Sequence, residues 1–328
     1  LDELCDRIDS VDPELRAFVP ESDRRGRLSG AVDRLEASDD GDRPPLYGVP
    51  VGVKDIFHVD GLTTGAATAV PPEVFQGPEA SVVSTLREAG AVVLGKTVTT
   101  EFAGGAPGHT RNPHDLDHTP GGSSSGSAAA VAAGLCPLAL GTQTGGSVVR
   151  PASFCGVVGF KPSFGRISRE GVLPRSETLD HVGLFTQDLE GMELAASIVC
   201  EGWESTTPDR EPTLGVPEGP YLQQASDRAL ANFEDRLGRL EEAGYEIERV
   251  RAFENFEETD EKRAKTHKAE LAMHHEEWFE EYEPFYRAPC ADRIRSGRAV
   301  TIGELLEGRR VSERRRPTLE AAMDEHGI

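Results

Sequence analysis

The sequence predicts an α/β fold, and three observations carry that reading. Short apolar runs of strand character recur at Leu46–Phe57, Ala91–Gly95, Pro137–Leu140 and Leu214–Val216. Segments of helical periodicity lie between them, and Ser81–Gly90 runs straight into Ala91–Gly95, the helix-then-strand order of layered α/β domains. With 328 residues the chain can bury a substantial core, and 1–328 reads as one large domain.

Taken in order, Leu1–Val19 reads as helix and then a link into a strand near Phe18, with Asp12-Pro13 expected to turn the chain between two helical pieces. Ala31–Ala37 continues as amphipathic helix, and Ser38 to Asp42 is an exposed acidic loop. Leu46–Phe57 alternates small and apolar residues and should form a buried strand ending near Lys54. A lysine there ordinarily pairs with a neighbour such as Asp55, but the flanking Val51, Val53 and Ile56 raise the alternative of a desolvated amine able to act as a neutral base. Gly61–Gly77 reads as loop. Phe102–Thr119, rich in Gly, Pro, His and Asn, reads as an irregular loop of the kind that lines substrate sites. His109, His114 and His118 within it lack metal-ligand spacing and read as loop histidines. Ser127–Ala133 is a small-residue helix stopped by Gly134 and Pro137, and Pro151 suits the first turn of a following helix. Leu189–Cys200 reads as helix, and Trp203–Pro212 as a polar linker. Ser226–Ala243 is a helix with Ser226 as N-cap and Gly244 as stop, leading to strand Tyr245–Arg251. Phe253–Glu283 reads as a charged helical stretch with a solvated face, and Arg309–Arg316 as a basic surface helix.

The chain is organised around Pro120–Lys161, where two glycine-serine turns flank the alanine-rich helix. Gly121-Gly122 precedes Ser123, and Gly145-Gly146 precedes Ser147. Serines on tight turns beside backbone N–H groups suit a nucleophile with an oxyanion site. Two other motifs are excluded. Gly141 and Gly146 have the spacing of a phosphate loop, but Ser147-Val148 stands where that loop needs lysine and Ser/Thr. The nucleophile elbow GxSxG fails because Val148 and Val149 follow Ser147.

These residues resemble the amidase signature family of serine hydrolases. The resemblance is carried by Pro120-Gly121-Gly122-Ser123-Ser124, by Gly141 to Ser147 (GTQTGGS), by Arg150-Pro151-Ala152, and by Gly159-Phe160-Lys161-Pro162. Upstream, Gly48 to Asp55 (GVPVGVKD) resembles the family's lysine motif, and Lys96 to Phe102 its following segment. The resemblance implies a mixed central β-sheet covered by helices on both faces, with a signature core at about 46–190 and a C-terminal portion at 213–328. It implies Ser147 as nucleophile, Ser123 as bridging serine after a cis peptide, and Lys54 as base. It further implies an oxyanion hole from the backbone of Thr144, Gly145, Gly146 and Ser147, and substrate contacts from Arg150, Gly121, Gly122 and Ser124. Such chemistry needs no metal or cofactor.

Two departures from the family's pattern, at Gln143 and Ser125, and one further likeness, at Arg150, bear on the reaction. Gln143 stands where the A subunits of tRNA-dependent amidotransferases carry aspartate, which favours a small-amide amidase. Arg150, three residues past the nucleophile, resembles an arginine that holds a substrate carboxylate, the alternative being a structural ion pair. Ser125 replaces a glycine and leaves three consecutive hydroxyls, any of which could relay a proton. The implied reaction is hydrolysis of a small-molecule amide to carboxylate and ammonia through an acyl-enzyme. The alternatives are the glutaminase-type component of a tRNA-dependent amidotransferase, which needs partners and tRNA, and a catalytically silent truncated homologue, since the family continues with further strands and helices beyond Ile328.

Composition points to the cytoplasm, with a homodimer compatible. The sequence has no apolar run long enough to span a membrane, and its five scattered cysteines suggest neither a disulfide framework nor a zinc site. The formal net charge is −22, from 57 acidic and 35 basic residues, of which only six are lysine. Such a surface repels nucleic acid and reads as an adaptation to high salt. At 0.1 M salt the Debye length is about 10 Å, and near 1 M about 3 Å, so carboxylate repulsion in the folded state fades across that range. The melting temperature should therefore rise as KCl goes from millimolar to molar; thermal melts that stay flat or fall along the series would refute the adaptation.

Overall fold

The strands of a mixed sheet set the frame of this protein, seen in a computed structural model that describes residues 1–37, 39, 41–206, 211–251 and 255–328. Parts of the acidic loop (38 and 40), of the polar linker (207–210) and of the charged stretch (253 and 254) therefore lie outside the described residues. The chain forms two compact units, Leu1–Glu204 with Glu270–Arg295, and Ser205–Ala269 with Ser296–Ile328.

The first unit holds α1 (Asp2–Leu15), α2 (Arg24–Ala37), β1 (Pro50–Lys54), α3 (Ser81–Glu88), β2 (Val92–Thr97), α4 (Ser125–Ala132) and β3 (Leu138–Gln143). It continues with α5 (Val149–Cys155), β4 (Val158–Phe160), β5 (His181–Thr186) and α6 (Leu189–Val199). The sheet runs in the order β2-β1-β3-β5-β4 among the described residues. β1 lies parallel to both β2 and β3, while β5 lies antiparallel to β3 and β4. The sheet is mixed, as the resemblance implies.

Both sheet faces are apolar, because alternate residues of each strand enter different clusters. Val51, Val53, Leu138 and Leu140 pack with Val83 and Leu86 of α3 and Met192 and Ala195 of α6. Leu94, Ala139 and Phe185 pack on the other side with Ile8 of α1, Leu28 of α2 and Ala128 to Val131 of α4. The alanine-rich α4 lets helix and sheet approach closely. At Gly126 an added Cβ would sit 2.2 Å from the Ala17 carbonyl oxygen, so only glycine fits.

Two expectations are corrected. Asp12-Pro13 does not divide α1, because Pro13 falls in the last turn and the helix ends two residues later. Arg16 closes it in the left-handed region at φ 58°, and the Asp12 carboxylate accepts the Ala17 N–H at 2.7 Å. The charged stretch beyond 255 is helical, but its face is not simply solvated. It forms α8 (Phe256–His274) and α9 (Glu276–Tyr282), on which Leu271, His275 and Phe279 recur at helical spacing and are buried. The His275 ring meets Phe102 edge-on at 4.5 Å, its Nδ1 lies 3.0 Å from the Tyr286 hydroxyl, and burial pushes its pKa down to about 3.

In the second unit β6 (Leu214–Pro217) and β7 (Ile247–Val250) pair in parallel, joined by α7 (Asp227–Glu242). The Ser226 hydroxyl caps α7 by accepting the Ala229 N–H, and Gly244, at φ 101°, turns the chain after it. Beyond α10 (Ala288–Arg298), the arginine-rich segment lies on α11 (Ile302–His326), which starts with a capping box of Thr301 and Glu304. No helix among the described residues is long and apolar enough to cross a membrane.

Candidate active site

Lys54 ends β1 with its side chain wholly buried, in contact with hydroxyls instead of a carboxylate. Its Nζ donates to Ser123 Oγ at 2.8 Å, Ser124 Oγ at 3.0 Å and Thr142 Oγ1 at 2.7 Å. Burial holds the amine well below the usual lysine pKa; Asp180 opposes that shift and Arg175 adds to it. The adjacent Asp55 is taken instead by Lys96, at 2.8 Å in an equally buried pair. Burial pushes the Asp55 carboxyl up and the Lys96 ammonium down, while their contact opposes both shifts. Lys96 is anchored further by Thr64 Oγ1 at 3.0 Å and the Thr63 carbonyl at 3.3 Å.

The three consecutive serines separate by what their hydroxyls touch. Ser125 Oγ donates to the Val98 carbonyl, away from Lys54. Ser124, expected to contact substrate, is fully buried, and its Oγ donates to the Thr142 carbonyl and accepts the Thr142 N–H, both at 3.2 Å. Its work is to tie α4 to β3. Gly141 permits that closure, because a Cβ there would lie 2.7 Å from Ser124 Oγ and 2.6 Å from the Phe185 ring. Ser123 keeps its hydroxyl on Lys54, and the Gly122–Ser123 peptide bond before it is cis.

Ser147 sits on the turn between β3 and α5. Its carbonyl accepts the Ser124 N–H at 3.4 Å, which brings the two serine turns together through their backbones. No hydrogen bond joins the Ser147 and Ser123 hydroxyls among the described residues. The backbone N–H groups of Thr144, Gly145, Gly146 and Ser147 likewise find no acceptor among those residues, and open space surrounds the Cβ position of Gly145. Arg150 is exposed on α5 and folds back so that a guanidinium nitrogen lies 2.8 Å from the Cβ position of Gly146. It has no ion-pair partner among the described residues. Gly121, at φ 76°, packs against Pro151, and Gly122 against Thr100.

Sequence reasoning missed several supports. Gln143 is buried and its Oε1 accepts the Val148 and Val149 N–H groups at 2.9 and 3.1 Å, so it caps α5. Thr144 Oγ1 donates to Asp180 Oδ1 at 2.5 Å, while Asp180 Oδ2 accepts the Arg175 and Ser176 N–H groups at 2.8 Å each. A cavity of about 230 Å³ opens against Thr142 and Thr144, walled by Ile56, Leu173, Val182 and Asp180. His114 is spoken for by the Cys155 carbonyl, 2.7 Å from its Nε2, and the exposed His118 pairs with Asp115, in keeping with loop histidines.

The family model described as Amidase matches residues 1–264. The chain belongs to the Amidase family. Among curated relatives of this chain, the A subunit of glutamyl-tRNA(Gln) amidotransferase from Desulforapulum autotrophicum is 43% identical over 202 residues, covering 60% of this chain and 41% of the relative. The protein of the same name from Symbiobacterium thermophilum is 38% identical over 268 residues, covering 74% and 54%. The chain thus spans about half the length of the curated relatives it matches. Among solved structures, an amidase crystal structure superposes with a TM-score of 0.88 at 32% identity, covering 98% of this chain and 75% of that one. The peptide amidase of Stenotrophomonas maltophilia gives a TM-score of 0.81 at 27% identity, covering 100% and 78%.

The Lys96–Asp55 contact generates a stability prediction. Lys96→Met leaves a buried carboxylate without its cation, which should cost about 3–5 kcal/mol. Asp55 would then be protonated more readily in the folded than in the unfolded state, so the deficit relative to wild type should shrink as pH falls and grow as it rises. Paired thermal melts between pH 5 and 8 check this; equal melting temperatures throughout would show that the pair contributes nothing.

Proposed function

We propose that this amidase hydrolyses a carboxylic amide to carboxylate and ammonia through a serine acyl-enzyme, with Ser147 as nucleophile, Ser123 as relay and Lys54 as base. The observation that carries this reading is Lys54, a buried amine whose Nζ hydrogen-bonds three hydroxyls and whose pKa is lowered by burial. A neutral amine can take a proton where a solvated ammonium cannot.

In the proposed reaction Ser147 Oγ attacks the amide carbon, its proton passes to Ser123 Oγ, and the Ser123 proton passes to Lys54 Nζ. The unpaired N–H groups of Thr144 to Ser147 receive the developing oxyanion, at about 3 kcal/mol per well-placed donor. When the C–N bond breaks, the proton returns from Lys54 through Ser123 to the leaving nitrogen. Water then attacks the acyl-enzyme, its proton passes through Ser123 to Lys54 and back to Ser147 Oγ as the acyl–oxygen bond breaks, and the freed acid loses its remaining proton to solvent as the carboxylate. Of the neighbouring serines, Ser123 suits the relay because Ser124 is committed to Thr142 and Ser125 to Val98. Arg150, unpaired beside the Gly145-Gly146 turn, suits a carboxylate on the substrate, and Gly121 and Gly122 suit its backbone-lined rim.

A second reading, the glutaminase-type component of a tRNA-dependent amidotransferase, is favoured by the names of the curated relatives. Ammonia release from a small amide by the purified full-length protein without tRNA supports the first reading; strict dependence on tRNA and a partner supports the second.

Ser147→Ala should abolish hydrolysis with no change in melting temperature, and a fluorophosphonate probe should label Ser147 of the wild type. A label elsewhere together with an active alanine variant would overturn the nucleophile. Lys54→Arg should be nearly inactive at neutral pH, because arginine keeps its proton. In the wild type, kcat/KM should climb with pH as Lys54 loses its proton, well below the range of a free lysine. A fully active Lys54→Arg with an unchanged pH profile would remove the base.

A further inference from the structure

A buried carboxylate outside the proposed machinery is joined to it by a continuous run of hydrogen bonds. Glu270, near the end of α8, is only 1% exposed. Its Oε2 accepts the Ser176 hydroxyl at 2.5 Å and the Thr178 hydroxyl at 2.9 Å, and its Oε1 accepts the Thr178 hydroxyl at 3.0 Å. Ser176 is thereby fixed by its side chain while its backbone is fixed by Asp180. Its N–H donates to Asp180 Oδ2 at 2.8 Å, and its carbonyl accepts the Asp180 N–H at 2.9 Å. Asp180 in turn holds Thr144, the first residue of the turn whose four N–H groups find no acceptor among the described residues.

We propose that Glu270 is a positioning residue, which clamps the Ser176–Asp180 loop so that Asp180 holds Thr144 and the oxyanion-type donors in place and keeps a fixed negative charge facing Lys54. The physical argument is one of order. A loop anchored only by its own turn bonds samples several arrangements, and misplacing a donor by about 1 Å can cost on the order of 100-fold in rate. A buried carboxylate accepting two hydroxyls at once restricts that motion. The charged groups acting on Lys54 are Asp180, which raises its pKa, and Arg175, which lowers it with the smaller effect. Both lie in or beside the clamped loop. Burial is the largest influence on the amine, and loosening the loop would change both that burial and the pull of Asp180, so the pH at which Lys54 loses its proton should move from its wild-type value.

The proposal rests on Lys54 being the base and is tested in the full-length protein. Wild type, Glu270→Ala, Glu270→Gln and Ser176→Ala are compared by kcat, KM and the rate of Ser147 labelling by a fluorophosphonate across pH, each normalised to folded protein. Glu270→Ala should lower kcat by on the order of 10- to 100-fold with little change in KM. Its acidic limb should move away from the wild-type position, and Glu270→Gln, which keeps one acceptor, should fall between. If Glu270→Ala does not fold, Ser176→Ala decides, because it removes the same bond from the other side and should move kcat and the limb in the same directions. A purely structural Glu270 would reduce the folded fraction and leave kcat and limb per folded molecule at wild-type values; that result overturns the proposal. An active Lys54→Arg would sink the base reading and this proposal together. An inactive Lys54→Arg beside wild-type profiles in the Glu270 and Ser176 variants would sink this proposal alone.

Discussion

A primary amine buried with three hydroxyls as its hydrogen-bond partners is the constraint on which the rest of this structure depends. Burial penalises the ammonium form and outweighs the opposing pull of Asp180, so Lys54 is kept below its ordinary pKa as long as water stays out. Its sequence neighbour Asp55 is the nearest threat, and Lys96 removes it by drawing the carboxylate into a separate pair. The two positions side by side at the end of β1 thus have opposite treatment: one charge is matched, the other is suppressed. Three hydroxyls, from the start of α4 and the end of β3, satisfy the Lys54 hydrogen bonds without supplying charge.

Topology explains how these groups meet. β1 and β3 are parallel neighbours, so both end at the same edge of the sheet, where Lys54 closes β1 and Thr142 and Gln143 close β3. β5 runs antiparallel to β3 and pairs His181 with Gln143, so the residue before it, Asp180, arrives at Thr144. Placing reactive groups where parallel strands end is a general property of α/β sheets. Here the antiparallel β5 adds a carboxylate at the same edge. The small residues of α4 complete the arrangement, since a larger helix could not bring Ser123 and Ser124 within reach of the amine.

Part of this was legible in the amino-acid order. The alternation of helix and strand, the stops at Gly134 and Gly244, the cap at Ser226 and the glycine-serine turns all depend on neighbours a few residues apart, and local chemistry dictates them. The motif residues also named Lys54, Ser123 and Ser147 as a set. What the order could not reveal was which partner each polar side chain takes. Asp55 looked like the partner of Lys54, Gln143 stood out as a departure from the amidotransferase pattern, and Ser124 looked like a substrate contact. Instead, contacts made only in the folded chain give Asp55 to Lys96, Gln143 to the start of α5 and Ser124 to Thr142. The buried faces of α8 and α9 were hidden for the same reason: their acidic composition suits a solvated surface, and only packing against Phe102 and Tyr286 makes Leu271, His275 and Phe279 interior. Sequence by itself determined which elements form and which residue types stand ready for chemistry. Tertiary structure alone decided which charges are paired and which are silenced, because burial and hydrogen-bond partners belong to the folded arrangement and not to the chain.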